Sequence, residues 1–340
     1  MSAVQDEGER VRLEHGAGGR AMRALIESIF LNGVSDPEAQ AMDDGAALRC
    51  GDRWLVFSTD AHVVAPIFFP GGDIGRLSIS GVVNDLAMMG ACDVAAITSS
   101  VIVEEGFALA SLRRIHASMQ AACREAETRI VAGDTKVMRK GEIDGIVLST
   151  SGIGFTDRVV RDSGLERGDA IVVSGTLGDH GLAVLSARHG LGLEGDLRSD
   201  VAPLNGLVRA ALAAGGAAVH AMKDPTRGGV TSALTEMAEK AGVAIVLEEA
   251  ALPLSAAGRA AAELLGIDPL VVANEGKALF GVHPSLLAPV LRALQAHPLG
   301  QRASCIGRVV DGVAGSLLLD TGFGTRRLIE RDGEPLPRIC

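Results

Sequence analysis

Apolar residues recur along the chain at two spacings, and their order predicts two mixed domains. Over residues 20–31, Met22, Leu25, Ile26, Ile29 and Phe30 fall at i, i+3, i+4, i+7 and i+8, which predicts an amphipathic helix. Short apolar runs predict strands at 46–50 and 54–59, the second running into Thr59-Asp60. Residues 62–72 (HVVAPIFFPGG) keep neither period and read as an apolar loop. Asp73 is placed to cap a helix reaching about Met89. A strand at 93–103, a helix at 108–126, a strand at 129–132 ending in Gly133-Asp134-Thr135 and a strand at 143–154 follow. After a charged connection at 156–168, the second half predicts strands at 170–174, 244–248, 279–282, 304–309 and 315–319. Its helices fall at 178–189, 201–214, 227–241, 255–265 and 285–296. Strands and helices mixed in both halves predict an α/β class with mixed (α+β) sheets.

Composition narrows the partners. The 340 residues include 47% hydrophobic and 22% charged residues, the balance of a globular chain of about two domains. The formal net charge is −10, and aromatics make up only 3%. Such a chain repels a phosphate backbone and has few rings to stack on bases, so no nucleic-acid partner is expected. No apolar run approaches the roughly 20 residues of a membrane span, and the polar first residues carry no signal-peptide core. The five cysteines form no CxxC pair. A reduced, cytoplasmic protein without a disulfide framework is expected.

Chemistry concentrates in carboxylates. Asp43 and Asp44 precede a strand, Asp60 and Asp134 lie at strand ends, and Asn84-Asp85 sits inside an apolar helix. Asp224 opens Asp224-Pro225-Thr226-Arg227-Gly228-Gly229 before another helix. Acids at strand ends stand where α/β folds bind ligands, and hard oxygens suit a magnesium ion shared with phosphate. A carboxylate on a buried helix needs a cation or donors. Taken singly, each of these acids also fits an ordinary turn or cap. Gly16, Gly18 and Gly19 open one helix, but there is no Walker-type phosphate loop. Only five of the basic residues are lysines, and Lys136, Lys223 and Lys277 each lie in a motif of glycines and acids. Cys340 ends the sequence after two prolines, on an eight-residue segment that can reach about 25 Å. Cys50, Cys92, Cys123 and Cys305 read as core residues, and His62 and His180 as loop residues.

The segments DDGAAL (43–48), STDAHVVAPIFFPGGDIGRLSISGVVNDLAMMGA (58–91), GDTKV (133–137), DPTRGG (224–229), NEGK (274–277) and PRIC (337–340) resemble the HypE family of hydrogenase maturation proteins. That family shares an ATP-dependent superfamily with aminoimidazole ribonucleotide synthetase, selenophosphate synthetase and thiamine monophosphate kinase. The resemblance implies an aminoimidazole ribonucleotide synthetase-like fold whose N-terminal domains pair across a homodimer into a shared β-barrel. It implies a glycine-rich loop and helix at 1–35, an ATP- and Mg²⁺-binding domain at 36–155, a C-terminal α/β domain at 156–332 and a mobile tail at 333–340. The implied activity is that of a carbamoyl dehydratase. A carbamoyltransferase, HypF, loads Cys340, ATP drives dehydration of the S-carboxamide to a thiocyanate, and the cyano group passes to iron on a HypC–HypD complex for [NiFe]-hydrogenase assembly.

By the same resemblance, Asp44, Asp60, Asp85 and Asp134 hold the metal. Asp43, Asn84, Gly18, Gly19, Asp224 and Arg227 help bind the nucleotide. Lys136 and Glu275 act as acid and base beside Cys340. A small-molecule kinase or phosphate-donor synthetase of the same superfamily, and a non-catalytic ATP-binding scaffold, are the competing readings. The first has no need of a cysteine at position 340; the second would bind nucleotide and dock partner proteins through the tail.

Overall fold

A computed structural model describes residues 10–193, 197–329 and 339–340. The first nine residues of the expected N-terminal segment, and most of the expected tail, lie outside them. The strands are β1 (Ala46–Cys50), β2 (Arg53–His62), β3 (Phe68–Phe69), β4 (Gly72–Asp73), β5 (Asp93–Glu104), β6 (Ile130–Met138), β7 (Ile146–Thr156), β8 (Ala170–Val173), β9 (Val219–Lys223), β10 (Ala244–Glu248), β11 (Leu279–Val282), β12 (Ser304–Val310), β13 (Ser316–Asp320) and β14 (Thr325–Leu328). The α-helices are α1 (Gly19–Leu25), α2 (Pro37–Ala41), α3 (Ile74–Met88), α4 (Leu109–Glu125), α5 (Asp179–His189), α6 (Asn205–Gly215), α7 (Gly229–Ala241), α8 (Ala256–Leu265) and α9 (Leu287–Ala296).

The first sheet has the order β1-β2-β7-β5-β6, antiparallel except for the parallel β5–β6 pair. Alternation along β7 buries every even-numbered residue from Ile146 to Thr156 and leaves the odd ones partly open. The buried face lies against α3 and α4. The other face has no helix over it among the described residues. It presents Leu48 and Phe57, which are 51% and 43% exposed.

Helix α3 begins where Asp73 Oδ1 accepts the amides of Gly75 and Arg76 at 2.8 and 3.0 Å. Thirteen of its fifteen residues are buried, because the first sheet and α6 pack on different sides of it. It is thus buried nearly all round, and the Asn84-Asp85 pair within it must be explained by the site.

The second sheet has the order β14-β13-β10-β12-β8-β11-β9 and is covered on both faces. Its β8 strand shows why. Ile171 and Val173 pack in the cluster containing α7, whereas Val172 packs in the cluster containing α6 and α9. A strand buried on both faces reads as a continuous apolar run, and AIVV is such a run. Helices α5 and α8, although they belong to the second half, share the core cluster of the first sheet.

Several elements differ from the expected pattern. The helix expected over 20–31 ends as α1 at Leu25 and continues as a wider turn over Ile26–Phe30, with Ile29 and Phe30 mostly exposed. The strand expected at 129–132 runs on through Gly133, Asp134 and Lys136 to Met138. Strands β9 and β14 were not expected, and the apolar loop over 62–72 contains the short β3–β4 hairpin.

Candidate active site

A cavity of about 430 Å³ is walled by both halves. From the first half come Asp43, Asp44, Asp60 and Asp85; from the second, Asp224, Arg227 and Glu275; Gly18, Gly19 and Cys340 complete it. Strand β2 and helix α3 set the acidic wall. Asp60 lies near the end of β2 and pairs with His62 at 3.1 Å, on the face turned to α3. A Cβ on Gly81 of α3 would stand 2.7 Å from His62 Nε2 and 3.1 Å from Asp60 Oδ2, so the close approach of helix and strand needs glycine there. One turn on, Asp85 accepts the Ser58 hydroxyl at 2.6 Å. The same logic fixes Gly18, whose φ is +83° and whose absent side chain leaves room for Arg227. Arg227 donates to the Gly16 carbonyl at 3.2 Å, which ties the N-terminal loop to the second domain.

The acids are crowded, and their charge is only partly offset. Burial pushes the Asp85 carboxyl well up from its ordinary value, and the charges of Asp224, Asp60 and Asp44 add to this. Burial together with Asp44 and Asp60 raises Asp224 to about 8, against the opposing pull of Lys223. Glu275 is also raised well above the carboxylate range, by burial first and then by Asp224, Asp60 and Asp200. Asp60 is the exception. Burial would raise it too, but His62 and Arg227 hold it low. One oxygen of Asp224 and one of Glu275 are buried with no hydrogen-bond partner.

Behind this wall lies a network that the sequence motifs signalled only weakly. Lys223 is buried and donates to Asp44 at 2.8 Å and to Asp162 at 3.2 Å. Lys240 donates to Asp162 at 2.8 Å and to the Met42 carbonyl at 2.8 Å. Arg161 forks between Asp43 and Glu38, at 2.5 and 2.6 Å. Burial and Asp162 raise Asp43 to about 6, while Arg161 and Lys240 pull the other way. The scarcity of lysine was a usable signal for Lys223; nothing local marked Asp162 or Arg161. Lys277, the other suspect lysine of the second half, pairs with Asp200 at 2.9 Å, and Asp200 also accepts the Glu275 amide at 3.0 Å.

Three expected site residues do not line this cavity. Asn84 is 1% exposed and spends its amide on backbone: it donates to the carbonyls of Ala202 and Glu275 and accepts the Leu204 amide. It positions Glu275 rather than facing the cavity. Asp134 and Lys136 form an exposed 3.3 Å ion pair on β6. Register explains their distance. Asp60 pairs with Thr150, Thr150 with Ser99, and Ser99 with Gly133. Gly133 therefore lies three strands from Asp60, about 14 Å away. Alternation then turns Asp134 and Lys136 to the opposite, helix-free face. Within one chain they cannot join Asp60 and Asp85. His62 and His180, expected in loops, lie instead at the end of β2 and in the first turn of α5.

Two mixed α/β domains with an acid-lined cavity between them define the class, and comparison with known proteins agrees. Residues 42–156 match the AIR synthase related protein N-terminal domain, and residues 166–320 match the corresponding C-terminal domain. The carbamoyl dehydratase HypE of Rhizobium leguminosarum bv. viciae is 46% identical over 97% of this chain and 95% of its own length. A crystal structure of the hydrogenase maturation protein HypE in complex with ATP superposes with a TM-score of 0.82 at 39% identity, covering 97% of this chain and all of that one. HypE in a HypE–HypF complex gives 0.85 at 40% identity, over 91% of this chain and 100% of the other. The chain belongs to the HypE family.

Proposed function

We propose that the protein is an ATP-dependent carbamoyl dehydratase acting on its own Cys340. The observation that carries this reading is the placement of Cys340 in the same cavity as Asp60, Asp85, Asp224 and Glu275. In the overall reaction, R–S–C(=O)–NH₂ and ATP give R–S–C≡N, ADP and phosphate. The carboxamide oxygen attacks the γ-phosphorus and leaves as phosphate, and two N–H protons are lost as the nitrile forms. An amide oxygen is a poor leaving group, so its phosphorylation is what makes the step feasible; phosphoryl transfer in turn depends on positioning and charge neutralisation.

The donor set fits a magnesium ion. Asp85 and Asp224, raised first by burial and then by neighbouring carboxylates, and the orphaned oxygens of Asp224 and Glu275 beside them, are hard oxygen groups lacking a counter-charge. Among the described residues no three such groups converge tightly enough to hold an ion alone, which suits a site that phosphate oxygens complete. Asp44, Asp60 and Asp85 would hold Mg²⁺, whose charge offsets that of the triphosphate. Arg227 orients the phosphates from the second domain, with Asp224 and Asp43 shaping the charge around it and Gly18 and Gly19 closing the loop side. Glu275 is the base for an N–H proton: it lines the cavity with Cys340, and one of its oxygens is buried there without a hydrogen-bond partner.

Lys136 and Asp134 serve the reaction through a second copy of the chain. The bare face of the first sheet, with Leu48 and Phe57 outward and β6 as an open edge, is the surface on which the N-terminal domains pair into a shared barrel. That pairing brings the exposed Lys136–Asp134 pair to the partner's cavity as the acid partner of Glu275. HypF loads the carbamoyl group, and a HypC–HypD complex receives the cyano group.

Intact-mass measurement tests the reading. The protein is incubated with carbamoyl phosphate, ATP, Mg²⁺ and an active HypF, and the adduct is mapped. A carbamoyl group on Cys340 that loses one water only when ATP is present is the expected result. An unmodified Cys340 returns the protein to the kinase or scaffold readings.

A further inference from the structure

Ile339 and Cys340 make main-chain hydrogen bonds to residues that do not line the cavity. The His180 ring is buried in the first turn of α5. Its Nε2 lies 3.0 Å from the Ile339 carbonyl oxygen and its Nδ1 2.8 Å from Ser199 Oγ. A carbonyl only accepts, so Nε2 carries the hydrogen; Nδ1 of the neutral ring then accepts from the Ser199 hydroxyl. Ser199 Oγ in turn accepts the Val201 amide at 3.1 Å. This chain of bonds fixes one tautomer. Burial pushes the His180 pKa down, with Lys277 acting the same way and Asp200 opposing, which suits the one-proton ring. The edge of Phe69 packs on the ring at 5.5 Å between centroids. Val63 donates its amide to a main-chain oxygen of Cys340 at 3.2 Å. The Ile339 side chain is 1% exposed and joins the core cluster that contains Leu182 and Leu185 of α5. Neither His180 nor Ser199 lines the cavity.

We propose that His180, oriented by Ser199, is a positioning residue that latches the Ile339–Cys340 dipeptide into the cavity, so that the balance between docked and undocked thiol is set from α5 and not at the acids. The inference rests on the reading of Cys340 as the reacting residue. Its logic is one of balance: the latch must release for the thiol to be loaded by another protein, and must close for the loaded group to meet the acids. A single neutral hydrogen bond to a buried carbonyl has a suitable strength. Its loss shifts such an equilibrium by about ten-fold, enough to bias the tail without trapping it.

The test uses the full chain and a maleimide carried on a polymer too bulky to enter the cavity, with labelling rates at each cysteine read by mass spectrometry. Exposed Cys50 is the internal standard; buried Cys92 and Cys123 report the integrity of the fold. His180→Phe keeps a ring against Phe69 and removes the donor. It is expected to raise the Cys340 rate about ten-fold relative to Cys50. His180→Gln, which retains an N–H of similar reach, is expected to stay within about two-fold of the parent. An unchanged Cys340 rate in His180→Phe overturns the latch. So does His180→Gln labelling as fast as His180→Phe, or Cys92 and Cys123 labelling in step with Cys340, because release then follows from a loosened fold. No turnover enters the measurement, so a protein that fails as a dehydratase can still show the latch, and the reverse.

Discussion

The two sheets meet their surroundings in opposite ways. The seven-stranded sheet is buried on both faces, between α7 on one side and α6 and α9 on the other. The five-stranded sheet is backed only on the face that carries Asp60, and its other face shows Leu48, Phe57 and the Lys136–Asp134 pair to solvent. The second domain is thus complete by itself, while the first has a finished inner face and an unfinished outer one. The difference separates the chemistry too. The cavity acids Asp60 and Asp85 lie on the finished face with α3, and Lys136, the one lysine that the motifs single out for catalysis, lies on the unfinished face. The proposed active site is an assembly of two chains, and the sharpest experiments are those that separate the faces.

The largest effect is expected at Lys136. If it acts in a partner's cavity, Lys136→Ala lowers ATP-dependent dehydration by about 10³-fold, within the range for losing a general acid or base. Mixing this variant with Cys340→Ala, itself inactive, restores activity after subunit exchange, because one mixed site contains both an intact thiol and an intact lysine. No recovery on mixing would place Lys136 in the cavity of its own chain, against the register of β6.

Next in size is the outer face. Phe57→Glu puts a carboxylate where pairing would bury it, and an unpaired buried charge is costly. The dimer dissociation constant should rise at least about 100-fold, read by sedimentation. Phe323→Glu, at an equally bare site on the second domain, should leave it unchanged. A dimer that survives Phe57→Glu would mean that this face is not where chains meet.

Much of this arrangement was legible in the chain. Helix α3 followed from its Asp73 cap and α4 was expected over 108–126, and the acids of the cavity followed from their place at strand ends and within a helix too apolar to hold Asp85 without a reason. Other parts were not, for physical causes. Strand β14 reads Thr-Arg-Arg-Leu, an edge strand whose polar outer face carries no alternation to detect. Strand β9 follows a run of alanines and glycines whose pattern is helical, and only its pairing with β11 makes it a strand. Strand β6 seemed to stop at the glycine of Gly133-Asp134-Thr135, because glycine and aspartate are turn residues by local chemistry; pairing with β5 overrides this. Asn84 looked like a ligand because it adjoins Asp85, yet on a helix adjacent residues point about 100° apart, and that rotation sends it to the backbone of residues 202–204 and 275. A motif groups candidate residues but does not fix where sheet register puts them: Asp134 and Lys136 lie three strands from Asp60, on the other face of the sheet.

The smallest effect compares helix caps in the two domains. Asp73 caps α3 by accepting two amides with one oxygen, at 2.8 and 3.0 Å, and is itself 7% exposed. Ser255 caps α8 by accepting one amide, from Gly258 at 2.8 Å. Replacing either by alanine orphans N–H groups, but water can reach the half-exposed start of α8 far more easily than the buried start of α3. Asp73→Ala should therefore lower stability by about 2 kcal/mol and Ser255→Ala by about 0.5–1 kcal/mol. Asp73→Asn, which keeps an acceptor oxygen, should recover most of the first loss. Urea unfolding at a fixed protein concentration would measure all three, since pairing of chains makes apparent stability depend on concentration. Equal losses for the two alanine variants would show that the N-terminus of α3 is hydrated after all. Helix α3 would then owe its position to the packing of its sides against the first sheet and α6, and Asp85 would be held in place by that packing alone.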